Sequence, residues 1–322
     1  MTALCFKALI LFLTGIVYFF FPIIETHAGS SFPSKPVRLI VTSSAGGGED
    51  VEARGIAPIL QKYLGVRVLV EDQPGAGGKI AFEKFQKTAP DGYSLITYSF
   101  PKNIMMEYMT KTNYRSRDFI PIFIWSRVDA FISVHTDTYK TFDEFIKAAQ
   151  SRTLSVGIPG KGGINHLTGL MMIDKLGIKV TWVPYEAGAA SYAALAGKHI
   201  DVAFGSNTGL TGLVDAGKLR ILACLADKRN PYFPDIPTPR ELGVDVSPVV
   251  MLRGVEAPPG TPPAIAKVLE EAFGKVVQDP DYIAWAKRNK VVLAPMGSRE
   301  FRTLVEETYV QVEKFQHMLK EE

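Results

Sequence analysis

The nine residues TSSAGGGED, Thr42 to Asp50, are the best place in this chain to look for chemistry. Gly46, Gly47 and Gly48 let the main chain approach a ligand closely and can turn several N–H groups toward one point. A helix that opens at this loop would add its unpaired first-turn N–H groups and the positive end of its dipole. Asp50 is a good cap for such a helix. The pattern makes a cradle for an anion.

The chemistry that other patterns would bring is missing. Gly75-Ala76-Gly77-Gly78 resembles a dinucleotide fingerprint, but Ile80 stands where its third glycine belongs, and Asn165 does the same after Gly160-Lys161-Gly162. There is no Walker sequence, no G-x-S-x-G elbow and no H-E-x-x-H. The histidines (27, 135, 166, 199 and 317) have no metal-ligand spacing. His166, just inside a helix after a glycine loop, reads either as a ligand contact or as a capping or surface histidine. The expectation is a chain with no cofactor, no metal and no catalytic residues, and therefore not an enzyme.

The cradle needs elements to hold it. VRLIVT reads as a strand leading into the loop, and VEARGIAPILQKYLG as the helix leaving it, stopped by Gly65. VRVLVED and YSLITYS are further strands, with KIAFEKFQKTA a helix between them. FIPIFIWSRVDAFISVH is a long extended run, a natural place for the chain to cross between lobes. TFDEFIKAAQS follows as a helix with a capping box of Thr141 and Glu144. LSVGIPG then repeats the opening theme: strand, glycine loop from Gly160 to Gly163, and helix from Asn165 to Leu176. KVTWVPY is a strand, and SYAALAGKHIDVAFG a helix, a glycine stop and a strand. GLTGLVDAG is short and helical, and LRILACLA is extended. The proline-rich RNPYFPDIPTPRELGVD reads as a loop crossing back. PPAIAKVLEEAFGKVVQ and the amphipathic C-terminal segment are helical, the last helix packing outside the first lobe. Alternating strands and helices predict an α/β fold with mainly parallel sheets flanked by helices. Two glycine loops roughly 115 residues apart predict two such lobes with the ligand in the cleft between them.

At 322 residues the chain has room for two domains, and 47% hydrophobic with 21% charged residues marks it as globular. A net charge of +3 with no basic block argues against nucleic acid. Lys7, the apolar run from Ala8 to Ile24 and the small residues Thr26 and Ala28 predict a signal peptide, residues 1–28, cleaved after Ala28. An uncleaved membrane anchor is the other reading of that run. Cys224 lies in an apolar run as a buried small hydrophobe, so an exported chain would carry no internal disulfide and its large core must hold it. That combination points to a bacterial periplasm or cell surface.

In order, FPSKPVRLIV…AGGGEDVEAR, EDQPGAGGKIAFEKFQKTAPDGYSLI, VGIPGKGGINHLTGLMM, VPYEAGAASYAALAGKHIDVAF, GKLRILACLADKR…FPDIPTPRELGV and VEAPPGTPPAIAKVL resemble the successive signatures of the Bug-type periplasmic solute-binding receptors of the tripartite tricarboxylate transporter family. The resemblance spans nearly the whole mature chain. It implies a two-lobed, type II-like periplasmic binding protein, with residues 29–127 and 228–322 forming one lobe and 128–227 the other. It implies capture of a small organic acid, delivered to membrane transporter subunits or to a sensor kinase. A monomer is expected. The ligand carboxylate would be gripped at Ser43, Ser44, Ala45, Gly46 and Gly47, with Asp50 ordering the loop. The second lobe would add Gly160, Gly162, Gly163 and His166, and the strand end from Phe204 to Thr208, chiefly Gly205, Ser206 and Asn207.

Departures from the family pattern bear on specificity. Ser43 replaces a usual Phe, Glu49 a usual Thr or Ser, and Glu186 a usual Lys, while Leu252 and Arg253 stand where Trp is normal. Two added carboxylates would oppose a second anionic group on the ligand, by about 1 kcal/mol or more per charge. This favours a monocarboxylate or zwitterion over a tricarboxylate. Arg253 reads either as a bidentate carboxylate contact or as a solvated surface arginine. Two other classes stay open: an orphan or vestigial receptor acting through protein partners, and a carboxylate-processing enzyme using Asp50, His166 or Ser206.

Overall fold

In the first strand, β1 (Val37–Val41), Val37, Leu39 and Val41 are fully buried and only Arg38 is exposed, the pattern of a strand covered on both faces. The computed structural model describes residues 32–160, 164–246 and 251–320. Helix α1 (Gly48–Leu64) follows β1, ended by Gly65 in the left-handed conformation. Next come β2 (Val68–Asp72), α2 (Lys79–Phe85), β3 (Ser94–Phe100) and α3 (Lys102–Met109). Strand β4 (Ile120–Val128) completes the first pass through this sheet, and β5 (Ala130–His135) opens the second.

The second sheet continues with α4 (Phe142–Ser151), β6 (Leu154–Pro159), α5 (Ile164–Leu176), β7 (Val180–Tyr185), α6 (Gly188–Ala196), β8 (Val202–Ser206), α7 (Thr211–Asp215) and β9 (Leu219–Leu225). The chain then returns to the first sheet through β10 (Met251–Ala257), α8 (Pro263–Val276), α9 (Pro280–Arg288), β11 (Val292–Gly297) and α10 (Ser298–Lys320). The strand orders are β11-β4-β10-β3-β1-β2 and β7-β6-β8-β5-β9.

Both sheets are mixed. Strand β1 runs parallel to β2 and β3, and β6 parallel to β7 and β8, where strands alternate with helices. The strands at the crossings pair antiparallel: β10 with β3 and β4, and β5 with β8 and β9. The extended run at 119–135 does cross between sheets, with Asp129 as the single residue between β4 and β5. The proline-rich stretch carries the chain back. Asn230 in that stretch donates from Nδ2 to Asp129 Oδ2 at 2.9 Å, and both residues are buried. The outgoing and returning strands of chain are thus tied together where they pass between the sheets.

The cores lie against the two sheets, and that of the second sheet also takes in Met105, Val128 and Met251 from the side of the first. Leu39, Ile56, Leu60, Trp125 and Phe273 belong to one under α1 and α8, and Val156, Met172, Val202 and Phe204 to one in the second sheet. Helix α10 lays Phe301, Val305 and Tyr309 against β4 and α3, as its amphipathic pattern predicts. Thr141 caps α4, its hydroxyl accepting from the Glu144 N–H. Cys224 is a free, buried thiol that desolvation pushes up to about 12. Among the described residues no helix is long and apolar enough to cross a membrane, and the run from Ala8 to Ile24 lies outside them.

Candidate functional site

Parallel β1 and β3 send α1 and α3 out from their carboxyl ends, and parallel β6, β7 and β8 do the same in the second sheet. Those two sets of strand ends face a common cleft of about 720 Å³. This is where an open α/β sheet binds ligands, because the chain turning from strand to helix leaves backbone groups unpaired there.

The β1–α1 loop is built as the residue types predict. Gly46 takes φ +77°, where a side chain would be strained. Its N–H donates to Asp50 Oδ2 at 2.8 Å. Asp50 is not the helix cap, however. Gly47 holds that position without a side-chain hydrogen bond, and Asp50, in the first turn, reaches back to hold the loop. Its carboxylate also pairs with Arg54, which bridges to Asp72 at 2.7 Å. The N-terminus of α1 is left uncapped, and Gly47, Gly48 and Glu49 line the cleft at that end.

The expected residues divide as follows. Ser43, Ser44, Gly46, Gly47, Gly160 and Ser206 line the cleft, as do Glu49, Glu186 and Arg253. Ala45 is an exposed part of the loop outside the lining. Gly205 packs on Tyr192, and Asn207 donates to the Lys290 carbonyl at 2.8 Å. His166 is buried, neither a surface histidine nor a lining residue, with its ring edge-on to Trp182 at 4.8 Å. Gly162 and Gly163 lie outside the described residues.

Two charges differ from the sequence expectation. Arg253 is not a solvated surface arginine. It is 3% exposed, donates from Nε to Glu52 Oε1 at 2.7 Å and from Nη1 to Ser99 at 2.8 Å, and brings Nη2 up against Gly48. Nor is Glu49 an uncompensated carboxylate. It accepts from Thr42, from the Ser99 N–H and hydroxyl, and from Lys102 Nζ at 3.0 Å. Burial raises its pKa, but the charges of Lys102 and Arg253 outweigh that and hold it down at about 2. Glu49, Glu52, Lys102 and Arg253 make two buried pairs of opposite charge with no net charge. Glu186 is exposed at the cleft.

Helix α3 was not among the expected elements, yet Lys102, Met105, Met106 and Met109 on it line the cleft. Apolar residues at helical spacing in KNIMMEYM were the available clue. Thr208, at the expected strand end, lines the cleft too, whereas the Gly75–Gly78 turn and the start of α6 at Gly188 line it without having been predicted there.

Two mixed α/β sheets joined by paired crossings, with helix N-termini meeting in a cleft between them, are the architecture of a two-lobed solute-binding receptor. The model of the tripartite tricarboxylate transporter family receptor matches residues 52–321, and the chain belongs to that family. A UPF0065 protein from Cupriavidus necator is 33% identical over 281 residues, 86% of this chain and 85% of its own length. The solved structure of the periplasmic binding protein BugD superposes with a TM-score of 0.80 at 26% identity, covering 89% of this chain and 98% of BugD. MatC from Rhodopseudomonas palustris, solved with bound malate, gives 0.80 at 26% identity over 88% of this chain and all of MatC. The family and these neighbours are binding proteins rather than enzymes.

Proposed function

We propose that this receptor captures a small organic acid with one carboxylate seated at the β1–α1 loop, against Ser43, Ser44, Gly46, Gly47 and the N-terminus of α1. The observation that carries the reading is a helix start whose cap position makes no side-chain hydrogen bond, opening into a cleft of about 720 Å³. Lys102 and Arg253 are already paired with Glu49 and Glu52, so they neutralise their partners before they can attract a second anionic group. Exposed Glu186 further disfavours one. Malate bound to MatC, a neighbour of the same fold, supports capture of a carboxylate. Residues 29–127 with 228–322, and residues 128–227, are the two lobes that close on the ligand. The chain works in the periplasm after cleavage near Ala28, as a monomer, and hands its ligand to transporter subunits or a sensor kinase.

The test is the melting temperature of the purified protein against mono-, di- and tricarboxylates. A ligand at a hundred times its dissociation constant adds about 2.7 kcal/mol, a shift of several degrees at this size. Gly47→Val should abolish the shift. Gly47 has φ −70°, which valine tolerates, but a Cβ there sits 3.0 Å from the Ser44 carbonyl and 3.2 Å from Ser43 Oγ, in the cradle itself. Unchanged affinity in that variant would refute the site.

A further inference from the structure

We infer that the solute is a hydrophobic monocarboxylic acid, its apolar body lying along Met105, Met106 and Met109 of α3. This rests on the carboxylate reading above and adds what occupies the rest of the cleft.

Helix α3 changes character along its length. Lys102 in its first turn is hydrogen-bonded to Thr42 and Glu49, at the α1 end of the cleft. The residues that follow on its cleft side are methionines, and Lys102 to Met109 is a rise of about 10 Å. Across the cleft the second sheet offers Pro184 and Tyr185, and β10 adds Met251. Among the described residues, the charged groups of the lining are Glu49, Lys102, Glu186 and Arg253. The two cations belong to the paired cluster, so among the described residues no cation is left at the methionine end to hold a second carboxylate. An apolar group laid there exchanges water for thioether and ring contacts.

The methionines are placed rather than merely present. A Cβ on Gly77 would sit 2.9 Å from Met106 Cε, so the glycine turn closes over the tip of that side chain. Met105 is 2% exposed and forms the base of the stripe, while Met106 and Met109 remain half-buried. Thioethers on flexible stems fit irregular apolar shapes and make favourable contacts with aromatic ring edges.

Titration calorimetry with 3-phenylpropionate, octanoate, propionate, malate, citrate and 3-phenylpropanamide tests this. The two hydrophobic acids should bind at least about tenfold tighter than propionate, with a negative heat-capacity change. Met109→Gln should cut that preference about tenfold, and Met109→Leu should keep it. The inference is overturned, with the carboxylate reading intact, if malate or citrate binds while the hydrophobic acids do not, or if Met109→Gln leaves the preference unchanged. The amide binding as tightly as the acid would overturn the carboxylate reading. A response to no acid would overturn both.

Discussion

Lys102 Nζ lies 3.0 Å from Glu49 Oε1, joining the first turn of α3 to the first turn of α1 at the wall of the cleft. The pair is largely buried, with 19% and 7% of the two side chains exposed. It fixes two helix starts relative to each other and settles the local charge before a ligand arrives.

Lys102→Met should therefore cost roughly 2–4 kcal/mol in denaturant unfolding, because it leaves a carboxylate buried without its cation. Adding Glu49→Gln should recover part of that loss. In the parent, Glu49 has a pKa depressed from 4.5 to about 2. Its stabilising contribution is complete above 4.5 and is lost as pH falls toward 2. The acid limb of the stability profile should flatten in Lys102→Met.

Glu256 titrates the opposite way. It is fully buried on β10, and desolvation lifts its pKa to about 8 although the Tyr98 hydroxyl donates to it at 2.6 Å. The folded state holds this proton more tightly than the unfolded chain, so its contribution is full below pH 4.5 and is lost progressively up to about 8. Glu256→Gln keeps an acceptor for Tyr98 and removes the titration. Melting temperatures across pH 5–8 should fall less steeply in the variant.

Gly55 on α1 faces the indole of Trp285 on α9 so closely that a Cβ would overlap the ring. Gly55→Ala gains helix propensity of about 1 kcal/mol. It should nevertheless be destabilising, since overpacking costs about 1–3 kcal/mol or more where a rigid ring must move. A lower midpoint in urea with an unchanged slope would agree; a higher midpoint would contradict the packing argument.

Asn207 follows the last cleft strand of the second sheet and donates to the Lys290 carbonyl beside β11 of the first, while Lys290 Nζ reaches Asp215 at 3.1 Å. Asn207→Ala should weaken this inter-sheet contact by about 1 kcal/mol. Small-angle scattering should report a larger radius of gyration without ligand, and affinity for the acid should drop severalfold.

What could be read from the residues was governed by how far their partners lie along the chain. Gly46, Gly47 and Asp50 act within one loop, so their geometry was legible, except that Gly47 takes the cap position and leaves Asp50 to brace. Glu49 and Arg253 were misread because Lys102 is 53 residues from the first and Glu52 is 201 from the second. No local pattern carries such pairings. Helix α3 is only eight residues and starts after Pro101 without a capping side chain, and β10 is broken by register shifts around Gly254. Both stayed hidden for want of a boundary marker, and with them went the methionine stripe and the placement of Arg253.

The hydrogen bond between Asp129 and Asn230 has a consequence for how such receptors diversify. It makes the whole second sheet a single insertion whose two ends are adjacent neighbours. A cassette cut at those two residues could be exchanged between relatives, with the facing surface and the core contacts of Val128, Phe233, Val244 and Met251 to re-match. One wall of the cleft could then be replaced while the β1–α1 loop and α3 stay untouched, so new solutes can be acquired by recombination as well as by point substitution.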